Sequence, residues 1–369
     1  MKRAPTTILG LMTPFLGLAL TAIPAGAADP PELAVMSYGG AFSAAQVEAW
    51  NRPFTEATGI RVRMIDSDNP ALPIKAMVEA GNVSIDVAAV DSSDAVHLCA
   101  EGLVEPIDAA RLAPAPDGTP AAQDFLPEGL GDCFVATDVY ATALAYDARA
   151  FEGRKAPASP ADFFDLAAFP GKRGVSKQAR FTLELALLGD GVPPDQVYDL
   201  LATPEGQDRA FAKLDTIKNQ IVWWEAGAQP PQLLADGEVS MTSTYTGRIF
   251  TAVVEDAMRF HVIWNGQIYV TEGWVIPKGA PNPQAAMDYV VATTTTPAQA
   301  AFTRFISYGP PRASSQGLVG LYKDDKTPMA PHLPSSPANM VGALAYGTDF
   351  WADHDAELTQ RFTAWLSRP

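Results

Sequence analysis

The stretch ELAVMSYGGAFSAAQVEAWNRPFTEATGIRVRMI, residues 32–65, decides how this chain is read. It opens on a short apolar run, ELAVMSY (32–38), that ends in Tyr-Gly-Gly. Apolar residues at helical spacing fill 41–59 and stop at Gly59, and a second strand-like run, IRVRMI (60–65), follows. The pattern then repeats, with IKAMVEAG (74–81) as a helix and IDVAAV (85–90) as a third strand. Strand–helix–strand order of this kind predicts an α/β fold, a mostly parallel sheet covered by helices.

Further along, FVATDVYATALAYD (134–147) is an extended run long enough to cross between two domains. SPADFFDL (159–166) begins a helix with Ser159 as cap and Pro160 in the first turn, and Thr203 with Pro204 does the same for 203–217. VSMTSTY (239–245) and FHVIW (260–264) read as strands. Asn282 and Pro283 open another helix, and DAELTQRFTAWL (355–366) is a closing amphipathic one. The Pro-rich 325–339 reads as a loop. In GQIYVTEGWVIPKG (266–279) one carboxylate, Glu272, interrupts a buried strand beside Gly273. A buried charge without a partner is costly, so Glu272 is exposed, paired, protonated or set to meet a ligand.

The first residues carry the marks of a secretory signal: MKR, a short apolar core, then the small residues Ala25–Ala27. The expected leader is 1–28, and a periplasmic location follows from it. At ~150 residues per domain, the remainder suits two domains. The net charge is −16, and the leader holds two of the basic residues and no acid, so the mature chain is more acidic still. Such a surface repels nucleic acid and anionic membranes and favours cations. The two cysteines, Cys99 and Cys133, read as a disulfide in an exported protein; a catalytic thiol is the alternative.

Enzyme signals are sparse. No P-loop, G-x-G-x-x-G, G-x-S-x-G or H-E-x-x-H is present, and no cofactor is expected. The four histidines are scattered; Asp353-His354-Asp355 reads as a solvated cluster rather than a metal site. What gathers instead, at the carboxyl ends of the predicted strands, are aromatic and polar residues: Tyr38, Asp91, Ser92, Tyr245, Arg248, Tyr269, Glu272 and Tyr308. In open α/β sheets ligands bind there. Taken singly, each has an ordinary reading as core, cap or turn.

The motifs SYGGAFSAAQ, PFTEATGIRV, IDVAAVDSSDAVHLCAEGLVEPID, FPGKRG, MTSTYTGR, EGWVIPKGAPNPQAAMDYV and ISYGPP span residues 33–313. In order and spacing the chain resembles a bacterial extracellular solute-binding protein of an ABC importer, in the spermidine/putrescine-binding branch. The resemblance implies the two-lobe type II periplasmic-binding-protein fold, with lobes at 29–142 plus 272–314 and at 143–271 plus 315–369. It also implies a ligand cleft between the lobes, docking on a membrane permease, and no catalysis; a monomer is expected.

For the site, the resemblance implies Glu272 against an amine, Tyr38 and Tyr245 as stacking aromatics, and Asp91 and Ser93 in a loop of polar contacts. Where polyamine binders carry an acidic run after FPGKRG, this chain has KQARF (177–181), with Lys177, Gln178 and Phe181 in place of acids. Arg180 and Arg248 suit a carboxylate on the ligand. A polyamine or related amine is therefore the expected solute, with an amino-acid-like or opine-like zwitterion as the alternative. An iron(III) carrier or an exported enzyme on the same scaffold are more distant readings. Glu272 has a structural alternative, a salt bridge to Arg180, Arg248 or another base.

Overall fold

Burial of the apolar runs between residues 32 and 91 builds a parallel sheet in this computed structural model. The described residues are 31–368 with 1, 2 and 4, so the leader expected at 1–28 lies, those three apart, outside them. β1 (Glu32–Ser37), β2 (Arg61–Asp66) and β3 (Val87–Asp91) pair in parallel, with Val35 opposite both Met64 and Val87. Leu33, Val35 and all of Val87–Val90 are fully buried, as in a parallel strand covered on both faces. The helical stretch between β1 and β2 has three parts: Gly40–Gln46, a π-helical turn Val47–Asn51, and Arg52–Thr58. Trp50 in that turn stacks on Phe302 at 4.3 Å between ring centroids. Gly59, at φ 74°, closes the helix in the left-handed conformation expected of a terminal glycine.

The other strands are β4 (Leu130–Gly131), β5 (Phe134–Asp147), β6 (Arg173–Ser176), β7 (Ile221–Trp224), β8 (Met241–Tyr245), β9 (Phe260–Val275) and β10 (Leu344–Ala345). The spatial order is β2-β1-β3-β9-β5-β8-β6-β7, with β10 on β9 and β4 on β5. β5 is the extended crossing run expected from the sequence. β9 corrects the reading of 260–264 and 266–279 as separate strands. Gly266, at φ 75°, kinks the backbone, and pairing with β5 resumes at Ile268 opposite Thr142.

These two antiparallel strands pass from one hydrophobic core to another. On β9, Ile268 and Val270 pack with Leu144, Phe163, Leu183 and Trp351, whereas Trp274 and Val275 pack with Leu33, Trp50, Val87 and Tyr289. On β5, Phe134–Ala136 belong with the Trp274 group and Leu144 with the other. The middle of each strand is thus the seam between two apolar interiors.

Helix starts follow their capping chemistry. The Asp162 N–H donates to Ser159 Oγ at 3.3 Å, and the Asp162 carboxylate accepts the Ser159 N–H at 3.0 Å, a reciprocal box. Asn282 and Pro283 start their helix as expected, and the Asn282 N–H donates to Asp86 Oδ1 at 2.7 Å, tying the helix Pro283–Thr293 to the segment entering β3.

Cys99 and Cys133 form a disulfide between the end of the helix Ser92–Ala100 and the start of β5. Replacing both by alanine is expected to cost roughly 4 kcal/mol for the loop this bond closes in the unfolded chain. Urea unfolding with and without reductant measures it; a midpoint that reduction leaves unchanged would show that strand pairing alone holds this corner.

Candidate functional site

Asp91, Glu272 and Asp138 occupy one register level on three adjacent strands. Asp91 on β3 lies opposite Glu272 on β9, and Glu272 lies opposite Asp138 on β5. Residues directly opposite project from the same face, so the three carboxyl groups form a row. The row sits at the seam, between Val270 in one core and Trp274 in the other, which is why the apolar run of β9 is broken there.

A bulge in β5 sets the row. Ala136 pairs with Gly273 and Asp138 with Glu272, leaving Thr137 as an extra residue. Thr137 Oγ1 lies 2.9 Å from Asp138 Oδ2 and 3.2 Å from the Glu272 carbonyl oxygen, so its one proton serves either acceptor. A Cβ on Gly273 would lie 2.1 Å from the Val135 carbonyl oxygen and 2.6 Å from Ala136 Cα. Only glycine lets the strands approach this closely, which accounts for the Glu-Gly pair.

Asp138 and Glu272 are buried and Asp91, at the end of its strand, is half-buried. Burial, reinforced by Asp94, pushes Asp91 up to about 7; the Tyr140 hydroxyl and the charge of Arg180 oppose the rise. Burial holds Glu272 and Asp138 well above the ordinary carboxylate range, with repulsion from Asp138 and Asp91 adding at Glu272 and from Asp91 at Asp138. Glu272 Oε1 and Asp138 Oδ1 have no hydrogen-bond partner. Among the described residues no lysine or arginine forms an ion pair with the row; Arg180, whose charge reaches Asp91, is paired to Asp355 at 2.7 Å.

Aromatic residues enclose the acids. The Asp91 N–H donates to the Tyr38 hydroxyl at 3.2 Å, and the Tyr140 hydroxyl donates to Asp91 Oδ2 at 3.3 Å. The Tyr140 ring lies 6.3 Å from Tyr245 and 6.1 Å from Tyr308, and Trp224 lies 6.2 Å from Tyr245. Burial raises all four phenols, so they are neutral donors at physiological pH. Carboxylates beside ring faces suit an organic cation: the acids make charge-assisted hydrogen bonds and the rings attract the charge by ~0.5–2 kcal/mol.

The structure brings Tyr38, Asp91, Tyr245, Glu272 and Tyr308 together. It separates others. Tyr269 is three residues from Glu272 on a regular stretch of β9 and so on the opposite face, where it packs with Val139 and Ala141. Ser92, rather than Ser93, makes the contact beside Asp91: its hydroxyl is 3.1 Å from Thr348 Oγ1, at the start of the helix Thr348–Leu366. Arg248 is exposed, though its charge reaches Tyr308. Arg180 is half-buried, and with Asp355 it forms the ion pair that Glu272 lacks, so the salt bridge weighed for Glu272 is not made. Lys177 pairs with Glu225 at 2.7 Å. Glu184 is buried away from the row, accepting from Trp351 Nε1 at 2.5 Å.

Asp138 and Tyr140 were missed in the sequence. The signal was present: an acid in the apolar run FVATDVYATALAYD poses the same question as Glu272 in its own run.

The sequence matches the family described as bacterial extracellular solute-binding protein over residues 49–335. A γ-aminobutyric acid-binding protein of Pseudomonas aeruginosa is 43% identical over 352 residues, covering 95% of each chain. A solved structure described as the Atu4243 GABA receptor is 32% identical, covers 92% of this chain and 98% of its own, and superposes with a TM-score of 0.76. The MotA binding protein of A. tumefaciens B6, solved with glucopine, is 29% identical, with 91% and 99% covered and a TM-score of 0.73.

Proposed function

The chain belongs to the bacterial extracellular solute-binding proteins, and from that premise we propose that it captures a zwitterionic amine for an ABC importer, with γ-aminobutyrate as the first candidate. The observation that carries this reading is the unpaired acid row in its aromatic surround. The row takes the ammonium. Arg180, Arg248 and the N-terminal amides of the helix Thr246–Val254 take the carboxylate. The lobes proposed are 29–142 plus 272–314 and 143–271 plus 315–369, closing about the middles of β5 and β9 in the periplasm and docking on a permease. The names of the Pseudomonas relative and the Atu4243 structure support γ-aminobutyrate over a polyamine, as does the basic KQARF run. The single thiol pair is spent in the disulfide, which removes the nucleophile an enzyme reading would call on.

An opine-like solute is the second reading, favoured by the glucopine-bound neighbour and the same two arginines. Calorimetry on unfolded, ligand-stripped and refolded protein tests both. Micromolar or tighter binding of γ-aminobutyrate is expected, with putrescine and spermidine weaker by at least tenfold. Tight binding of putrescine alone would return the protein to the polyamine branch, and binding of an opine alone would select the second reading.

A further inference from the structure

The acid row holds more negative charge than one ammonium can balance. Asp91, Glu272 and Asp138 stand side by side, and the groups facing them from each surrounding element bring little positive charge. Tyr38 follows β1, Tyr140 is on β5, Tyr245 ends β8, and Tyr308 and Tyr346 lie in loops; all are phenols. The helix Ser92–Ala100 adds another acid, Asp94. Of the two bases, neither pairs with the row: Arg180 lies against Asp355 and Arg248 is exposed. Adjacent carboxyl groups in a desolvated site cannot all ionise, so they share protons.

We infer that the row exchanges protons for its cation: Glu272 and Asp138 carry at least one proton in the ligand-free protein, and an arriving ammonium displaces it to solvent. In balance, R–NH3⁺ and a carboxyl group give an ammonium–carboxylate pair and one H⁺. This deepens the proposed function and rests on an ammonium binding at the row. It makes Asp138 a specificity-determining residue, because its carboxyl group, backing Glu272 across the β5 bulge, keeps that proton in place until a cation replaces it. A neutral solute has nothing to trade for the proton.

The sign follows. The acids are raised in the free protein and lowered by a bound cation, so protons compete with the ligand and affinity rises with pH. Each proton released gives about a tenfold gain in affinity per pH unit between the bound and free titrations. Burial pushes Asp91 up to about 7 and raises Glu272 and Asp138 in the same direction, so the competition is felt around neutrality.

The test has two arms on the refolded full chain. In the first, γ-aminobutyrate and putrescine are titrated at pH 7 in phosphate and in Tris, whose ionisation heats differ, and again from pH 5.5 to 8. About one proton released per ligand is expected, and Asp138→Asn should move that number toward zero and flatten the pH profile. Equal heats in the two buffers with a flat profile would overturn the inference. The second arm needs no ligand: the infrared spectrum at pH 7 should show a protonated-carboxyl band that weakens in Asp138→Asn and Glu272→Gln. Its absence from the native protein would overturn the inference too. If neither probe binds, the ligand reading fails and the infrared band alone decides whether the row is protonated. Far-ultraviolet circular dichroism and melting confirm that each variant folds.

Discussion

Glu272→Gln is expected to weaken γ-aminobutyrate binding by at least 30-fold, the low end of the ~2–5 kcal/mol lost when one partner of a desolvated charge pair is removed. The substitution preserves the size of the side chain and its place between Val270 and Trp274, so the fold should survive. What it removes is the only formal charge on β9 that lies at the seam. It also relieves repulsion with Asp91 and Asp138, so thermal stability in the absence of ligand should hold or rise. Tyr269→Phe is the control, since that hydroxyl lies on the other face of β9; affinity should stay within about twofold. Calorimetry at pH 7.5 separates these outcomes. An affinity for Glu272→Gln within twofold of the native value would mean that Glu272 does not meet the ligand.

Arg312→Met should be the most damaging single substitution for stability outside the site. Arg312 is wholly buried, its Nε 2.8 Å from Asp124 Oδ2. Its Nη1 donates to the Thr294 carbonyl at 3.1 Å and its Nη2 to the Ala113 carbonyl at 2.5 Å, and its guanidinium lies over the Phe125 ring. It therefore clamps three separate segments of chain around one charge. Removing it leaves the Asp124 carboxylate buried with only the Ser314 amide and hydroxyl for company. Breaking such a pair costs about 3–5 kcal/mol. Urea unfolding should show that loss for Arg312→Met, and Arg312→Met with Asp124→Leu should recover part of it, because the second change removes the stranded charge. A single-variant loss below about 1 kcal/mol would mean that water reaches Asp124 and the clamp is not holding these segments.

Glu272 and Asp138 show how far the sequence could be read. Both are acids inside apolar runs, and the reason each is conspicuous is local: a strand that is apolar on either side has no place for a charge. In the sequence, Gly273 and Trp274 make the interruption at Glu272 sharp. The run around Asp138 reads as a simple crossing segment, which hides its acid. Nothing local says that the two acids are neighbours, since they stand 134 positions apart in the chain, and a bulge of one residue at Thr137 decides which residue of β5 meets Glu272. Tyr269 fails for the same reason. Its proximity in sequence suggested a shared site, but alternation along the strand sends it to the opposite face.

The arginines make the point from the other side. Arg180 and Arg248 were legible as bases near the site, and as rivals for Glu272. That Arg180 is taken by Asp355, from the last helix, depends on where that helix packs. By itself the amino-acid sequence determined the alternation of strands and helices, the Ser159 cap, the glycine stop at Gly59 and the pairing of its two cysteines. All of these rest on backbone propensity, on neighbours a few residues apart or, for the cysteines, on there being a single partner to choose. Tertiary structure alone decided that β3, β9 and β5 lie side by side in a register that aligns three acids without a base. Sheet order and register are settled by which apolar faces bury against which, a property of the whole packed chain that no short window contains.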